Sequence, residues 1–150
     1  MPENEHANIR RTILNWLARR DHSQHEIAQK LKNKAYPPDI IHTIVGELAQ
    51  QGLINEQRFT ENYIYWRRGR GYGPLRISRE LQTRGISAEM IAEHLNITDN
   101  AWLCEIRKVW QKHFKGKLPD DFKLRAKQMR FLQSRGFTRE QIASILKDEE

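Results

Sequence analysis

Arg84-Gly85-Ile86-Ser87-Ala88-Glu89-Met90-Ile91 and, 51 residues later, Arg135-Gly136-Phe137-Thr138-Arg139-Glu140-Gln141-Ile142 share one pattern, Arg-Gly-apolar-Ser/Thr-x-Glu-x-Ile. The match reaches back to Arg79 and Leu81 against Arg130 and Leu132, and forward to Leu95 against Leu146. A shift of 50 residues toward the N-terminus lays Ile27, Leu31, Lys34, Tyr36, Asp39 and Ile41 on Ile77, Leu81, Arg84, Ile86, Glu89 and Ile91, and Trp16 on Trp66. Repetition at such a period marks stacked structural units. We expect three of them, at residues 1–54, 55–98 and 99–150.

Each unit reads as three helices. In the middle one, Phe59, Tyr63 and Trp66 have the spacing of one helical stripe. Gly69 to Gly73 interrupts it, Pro74 suits the first position of the next helix, and Ile77 and Leu81 are that helix's buried stripe. Ser87 then caps a third helix carrying Ile91 and Leu95. In the first unit, Ser23 and Glu26 have the spacing of a capping box, and Pro37-Pro38-Asp39 opens a helix bearing Ile41, Ile44, Val45 and Leu48. In the third, Trp102, Ile106, Val109 and Trp110 form one stripe and Phe122, Ala126 and Met129 the next; Thr138 and Gln141 form another capping box.

Gly85 and Gly136 stand where a helix end turns through positive φ, which glycine adopts without a Cβ clash. The first unit has Ala35 there, so that corner is expected to be built differently. The alternating apolar pattern of strands is missing from the sequence. The expected fold is therefore all-α: three tandem three-helix repeats that stack, share a core and form an elongated, curved, solenoid-like body. Trp16 and Trp66, at matching positions, are expected in the core.

The chain has 150 residues, 38% hydrophobic and 30% charged, with a net charge of +7. That profile excludes a disordered chain, because four Trp and five Phe need burial. The sequence has no apolar run long enough for a bilayer, and Met1 to Asn8 is too polar for a secretory signal. A single cysteine, Cys104, forms no internal disulfide, which places the protein in a reducing cytoplasm; the thiol is expected to be buried.

Catalytic and cofactor signals are weak. Gly69-Arg70-Gly71-Tyr72-Gly73 follows no strand and misses the dinucleotide spacing by one residue, and Gly116-Lys117 is followed by Leu118 rather than Ser or Thr. Asp21, His22, His25 and Glu26 lack a compact set of matching ligands, so no metal is expected; His42, His94 and His113 are isolated in the sequence. No nucleophile elbow is present. The expectation is a binding protein, not an enzyme, with no cofactor.

Positive charge then points to a polyanionic partner. Ten basic residues lie between Arg107 and Arg135, with Lys112, Lys115, Lys117, Lys123 and Lys127 the expected contributors to sequence-independent contact with single- or double-stranded DNA. Arg67, Arg68, Arg70, Arg76 and Arg79 crowd into thirteen residues, more than complementing a helix end requires. Arginine suits bidentate gripping of phosphate or carboxylate. Arg68, Arg70 and Arg76 are expected to face solvent, and Tyr72, beside Arg70, is the best candidate for an exposed base-stacking ring.

The runs Arg20-Asp21-His22-Ser23-x-x-Glu26-Ile27-x-x-Lys30-Leu31 and Gly71-Tyr72-Gly73-Pro74-x-Arg76-Ile77-x-x-Glu80-Leu81, with Arg84-Gly85-Ile86, resemble the RecX family. So do Gln51 to Phe59 and Arg130 to Phe137, and the resemblance runs from about residue 9 to residue 147. It implies a regulator of the RecA recombinase that binds the RecA–DNA filament; the three matched units lead us to expect a monomer. Such a protein modulates, typically by inhibition, the filament's ATPase and strand exchange in DNA recombination, DNA repair and the SOS response. It implies no catalytic residues. Arg67, Arg68, Arg70, Tyr72, Arg76 and Arg79 are assigned as the binding face. The alternative is a basic helical-repeat DNA-binding protein that acts without RecA.

Overall fold

A computed structural model describes residues 2–146, so residues 147–150 of the expected third unit lie outside the described residues. Nine α-helices follow one another, with no strand among the described residues. They are α1 (Pro2–Arg19), α2 (Gln24–Asn33), α3 (Pro38–Gln50), α4 (Glu56–Gly69), α5 (Pro74–Thr83), α6 (Ala88–His94), α7 (Ala101–Phe114), α8 (Phe122–Arg135) and α9 (Arg139–Leu146). The most extensive helix packing is within units: α2 on α3, α4 on α5 and α6, α7 on α9. No helix among the described residues is long and apolar enough to cross a membrane.

The caps act as their spacing implies. Ser23 Oγ accepts from Glu26 N while the Glu26 carboxylate accepts from Ser23 N, and Thr138 and Gln141 make the same reciprocal pair. Ser87 accepts from Met90 N. Pro38 and Pro74 open their helices at a position whose N–H has no intrahelical acceptor. Ile27, Leu31, Ile77, Leu81 and Leu132 are fully buried, each contributing roughly 1.5–3 kcal/mol.

The repeat also sets how units join. Ser23 Oγ, at the start of α2, donates to the Arg84 carbonyl at the end of α5 (2.7 Å). One repeat later, Gly73 N, at the start of α5, donates to the Arg135 carbonyl at the end of α8 (2.7 Å), and Leu75 N donates to the Gly136 carbonyl (2.9 Å). Each second helix therefore rests its N-terminus on the C-terminal corner of the next unit's second helix. Carbonyls and amides that a helix end leaves unsatisfied meet each other, and the helix dipoles align head to tail.

This arrangement explains the glycines and revises the reading of Ala35. Gly85 and Gly136 have φ of +82° and +100°, and Ala35 has φ of +66°. The Ala35 corner is built in the same way: Ala35 N donates to Lys32 O and Tyr36 N to Leu31 O, as Gly85 N does to Gln82 O and Ile86 N to Leu81 O. The difference lies outside the corner. A Cβ at Gly85 would fall 2.4 Å from the His25 Cβ, and one at Gly136 2.3 Å from the Arg76 Cβ. Ala35 is exposed, so only the backbone cost of the left-handed conformation remains. Ala35→Gly should accordingly stabilise the chain by about 0.5–1 kcal/mol, read as a raised urea midpoint at unchanged slope.

Other expectations need correction. The second and third units share one core, from Phe59 to Leu146, but the first has its own, from Ile9 to Ile54. The junction between first and second units is largely polar: Arg58 grips Asp21 through two nitrogens, Arg84 reaches Glu26 and Gln24 N donates to Glu56. Trp66 is 49% exposed rather than in the core, and Phe122 is 87% exposed, because α8 turns Gln128 and Leu132 inward instead. Gln128 is satisfied there by Trp110 Nε1–H and the Lys117 carbonyl. Cys104 is exposed, not buried, since Trp102 and Ile106 take the inner face of α7.

Candidate functional site

The corner between α4 and α5 is organised by one carboxylate. Glu80 accepts from Tyr63 Oη (2.7 Å), from Arg67 through Nε and Nη2 (both 2.8 Å) and from Arg76 Nε (3.1 Å). Burial pushes the Glu80 carboxyl up, but hydrogen bonds from Arg67, Tyr63 and Arg76 outweigh it and hold the group below its ordinary value of 4.5. Burial and the Glu80 bond push the Tyr63 hydroxyl up to about 12. A depressed folded value means that Glu80 stabilises the fold above pH 4.5 and loses that contribution as pH falls through its folded value. Glu80→Gln should be less stable at neutral pH and lose stability less steeply on acidification below pH 4.5, as urea midpoints across pH would show.

Tyr72 lies among three guanidinium groups, with Arg67, Arg76 and Arg135 at 3.8, 4.4 and 4.9 Å from its ring centre. It is half-buried. The ring expected as an exposed stacking platform is instead covered by cations, a cation–π arrangement that packs α5 against the end of α8. Arg76 keeps 40% of its side chain exposed, as expected, but is also engaged: it binds Glu80 and donates to the Ser134 carbonyl (3.1 Å), and so bridges two units. Arg67 is largely buried on Glu80.

With those side chains engaged at the junction, the ones beside them form the candidate site. Arg68 and Arg70 line a cleft of about 480 Å³ between the end of α4 and the helices α7 and α8. Lys108 and Lys112, one turn apart on α7, face them with Arg135, and the acid in the lining is Glu105, paired to Lys108 at 3.6 Å. His113 stacks flat on Phe131 in the wall, ring centres 3.8 Å apart. Five cations drawn from two units around one cleft favour a ligand carrying several negative charges, and the stacked pair offers it a planar surface.

The expected binding residues therefore separate. Arg68, Arg70 and Lys112 converge on the cleft; Arg67, Tyr72 and Arg76 shape its neighbourhood from the junction; Arg79 is exposed on α5 beside a separate depression. Lys115 and Lys117 lie on the α7–α8 turn, and Lys123 and Lys127 are two turns and one turn before Phe131 on α8, all four exposed. Lys108, His113, Phe131 and Arg135 were missed. Arg135 stood in the repeated string and Lys108 in the basic run, but which face of α7 meets α4 is set by packing. Among the described residues no group of three His, Cys, Asp or Glu side chains comes together to hold a metal ion.

Residues 10–48, 55–95 and 105–146 match the family models described as the first, second and third three-helix domains of RecX. The chain belongs to the RecX family. The regulatory protein RecX of Pseudomonas entomophila (strain L48) is 39% identical over 138 residues, which cover 92% of this chain and 89% of that one. RecX of Pseudomonas putida KT2440 is 40% identical over the same length, covering 92% and 88%. The crystal structure of RecX from Lactobacillus salivarius superposes with a TM-score of 0.78 at 19% identity, covering 97% of both chains. A second crystal structure of a regulatory protein RecX gives 0.82 at 21% identity, covering 99% of this chain and 75% of that one. At those identities the RecX crystal structures show the shared fold of three-helix domains.

Proposed function

We propose that the three units, 1–54, 55–98 and 99–150, form one cytoplasmic, non-enzymatic binding body that regulates the RecA recombinase. It binds the RecA–DNA filament and lowers its ATPase and strand-exchange activity, limiting recombination and the SOS response. The observation that carries the reading is the cleft in which Arg68, Arg70, Lys108, Lys112 and Arg135 converge in a chain of the RecX family. A filament regulator must hold onto a surface where protein carboxylates and DNA phosphates lie close together. A cleft of arginines and lysines fits both kinds of anion.

Titrating the chain into RecA turning over ATP on single-stranded DNA tests this. Turnover should fall with increasing ratio, and strand exchange with it. ATPase unchanged over a wide range of ratios would remove the assignment. The second reading, a DNA-binding protein that acts without RecA, draws on the same cleft and on Lys115, Lys117, Lys123 and Lys127 beyond it. Under the RecA reading, free DNA is held weakly, without sequence preference, and release steepens with salt as counterions return to the phosphates. Tight, operator-like selectivity at physiological salt would favour the second reading instead.

A further inference from the structure

α4 also carries two exposed aromatic rings beside the basic cleft. Tyr65 is 73% and Trp66 49% exposed. Their rings are held in place by the neighbouring cations: Arg68 lies 5.9 Å from the Tyr65 ring, and Arg67 and Arg70 lie 5.2 and 5.4 Å from the Trp66 ring. Trp66 also meets Tyr63 edge-on at 5.8 Å. Adjacent exposed Trp and Tyr with arginines over them are the composition of interface hot spots, where rigid rings bring large area at low entropic cost.

Trp66 forms one wall of a second cleft, about 590 Å³, between the first and second units, with Leu17, Phe59 and Tyr63 supplying apolar surface and Arg19, Arg20 and Arg84 basic surface. Its two acids are already neutralised: Asp21 by Arg58, and Glu26 by Arg20 and Arg84. Arg19 is exposed and makes no ion pair among the described residues. An incoming group thus meets an apolar pocket with positive charge left over at its rim. Phosphates would find donors only in the arginines at the rim, and the apolar wall of Leu17, Phe59, Tyr63 and Trp66 would stay uncovered. A protein segment with one apolar side chain flanked by carboxylates suits it well.

We propose that Tyr65, Trp66 and the cleft between the first and second units form a protein-docking surface that adjoins the basic cleft through Arg68 and Arg70 but has its own lining. Its occupant is a segment of RecA that inserts an apolar side chain between acidic neighbours. This rests on the RecA reading above and divides the labour within it: the aromatic face takes the protein, and the Arg68–Lys112 cleft takes the nucleic acid.

Two probes test the division with the full chain: DNA-free RecA, and RecA-free single-stranded DNA. Tyr65→Ser/Trp66→Ser should bind DNA-free RecA more than about tenfold more weakly, while its affinity for DNA stays within about twofold. Tyr65→Ser alone, at an exposed position that folding tolerates, should show the same selective loss at about threefold or more. Lys108→Glu/Lys112→Glu should show the reverse, losing DNA and keeping RecA. Aromatic variants that bind RecA as the unaltered chain does, that lose DNA instead, or that change only self-association in sedimentation would overturn the inference while leaving the RecA reading in place. An unaltered chain that bound neither DNA-free RecA nor the RecA–DNA filament would remove both.

Discussion

Gly136→Ala should destabilise the chain by about 2–5 kcal/mol and loosen the third unit from the second. Part of the cost is conformational, since φ of +100° is a backbone state that costs a residue with a Cβ roughly 1–2 kcal/mol. The larger part is steric. The new methyl would lie 2.3 Å from the Arg76 Cβ and 2.6 Å from its backbone nitrogen, atoms that no rotamer change moves. Relief requires α5 to back away from α8, which breaks Gly73 N to Arg135 O and Leu75 N to Gly136 O and draws Arg76 off Ser134. Overpacking of this kind costs about 1–3 kcal/mol beyond the conformational part. Gly52→Ala is the control: φ is +78°, but nothing lies within 4 Å of its Cβ, so about 1 kcal/mol is expected. Gly85→Ala should fall with Gly136→Ala, because its methyl meets the His25 Cβ at 2.4 Å. Urea midpoints and amide exchange in α5 and α8 check the series. Equal losses at Gly52 and Gly136 would show that the junction yields and that the head-to-tail seating is not what needs glycine.

Under the proposed function, reversing Arg68, Arg70 and Lys112 to glutamate should weaken inhibition of RecA's ATPase by well over tenfold while leaving the helical content unchanged. The three side chains reach one cleft from two units, so a bound anion would meet three repulsive groups where it had met three donors. Arg76 is left out of the set because Glu80 and Ser134 hold it; a glutamate there would face Glu80 and unsettle the junction, mixing binding with folding. The matched control reverses Arg11, Lys32 and Arg139, all exposed and away from the cleft. Lys30 is unsuitable as a control, because its ammonium donates to His22 Nε2 at 2.8 Å and lies over the Trp16 ring. Burial chiefly, with help from Arg20 and Lys30, keeps the His22 pKa low, which fits an imidazole that accepts this bond. Inhibition curves for the two triple variants at moderate salt provide the measurement. Curves that coincide would move the binding face elsewhere on the chain.

What the sequence determined by itself is the set of features that depend on a few consecutive residues. Capping by Ser23, Ser87 and Thr138, the proline starts at Pro38 and Pro74, and the turns at Gly85 and Gly136 follow from local backbone chemistry. Repeating them every 50 or 51 residues revealed three like units before any contact was known. The family resemblance rested on the same strings. The faces of those units were decided only in the tertiary structure. Trp16 and Trp66 share a register, and so do Lys30 and Glu80, yet Lys30 covers Trp16 while Glu80 draws Arg67 and Arg76 toward Tyr72 and leaves Trp66 half open. Likewise the arginines of 67–79 read as one basic patch, but Glu80 binds two of them, and the candidate cleft is completed by Lys108, Lys112 and Arg135 from the next unit. A cap satisfies itself within one turn of chain. The direction a long side chain takes depends on which charge or ring lies within its reach across a junction, and only the packed units bring those partners together.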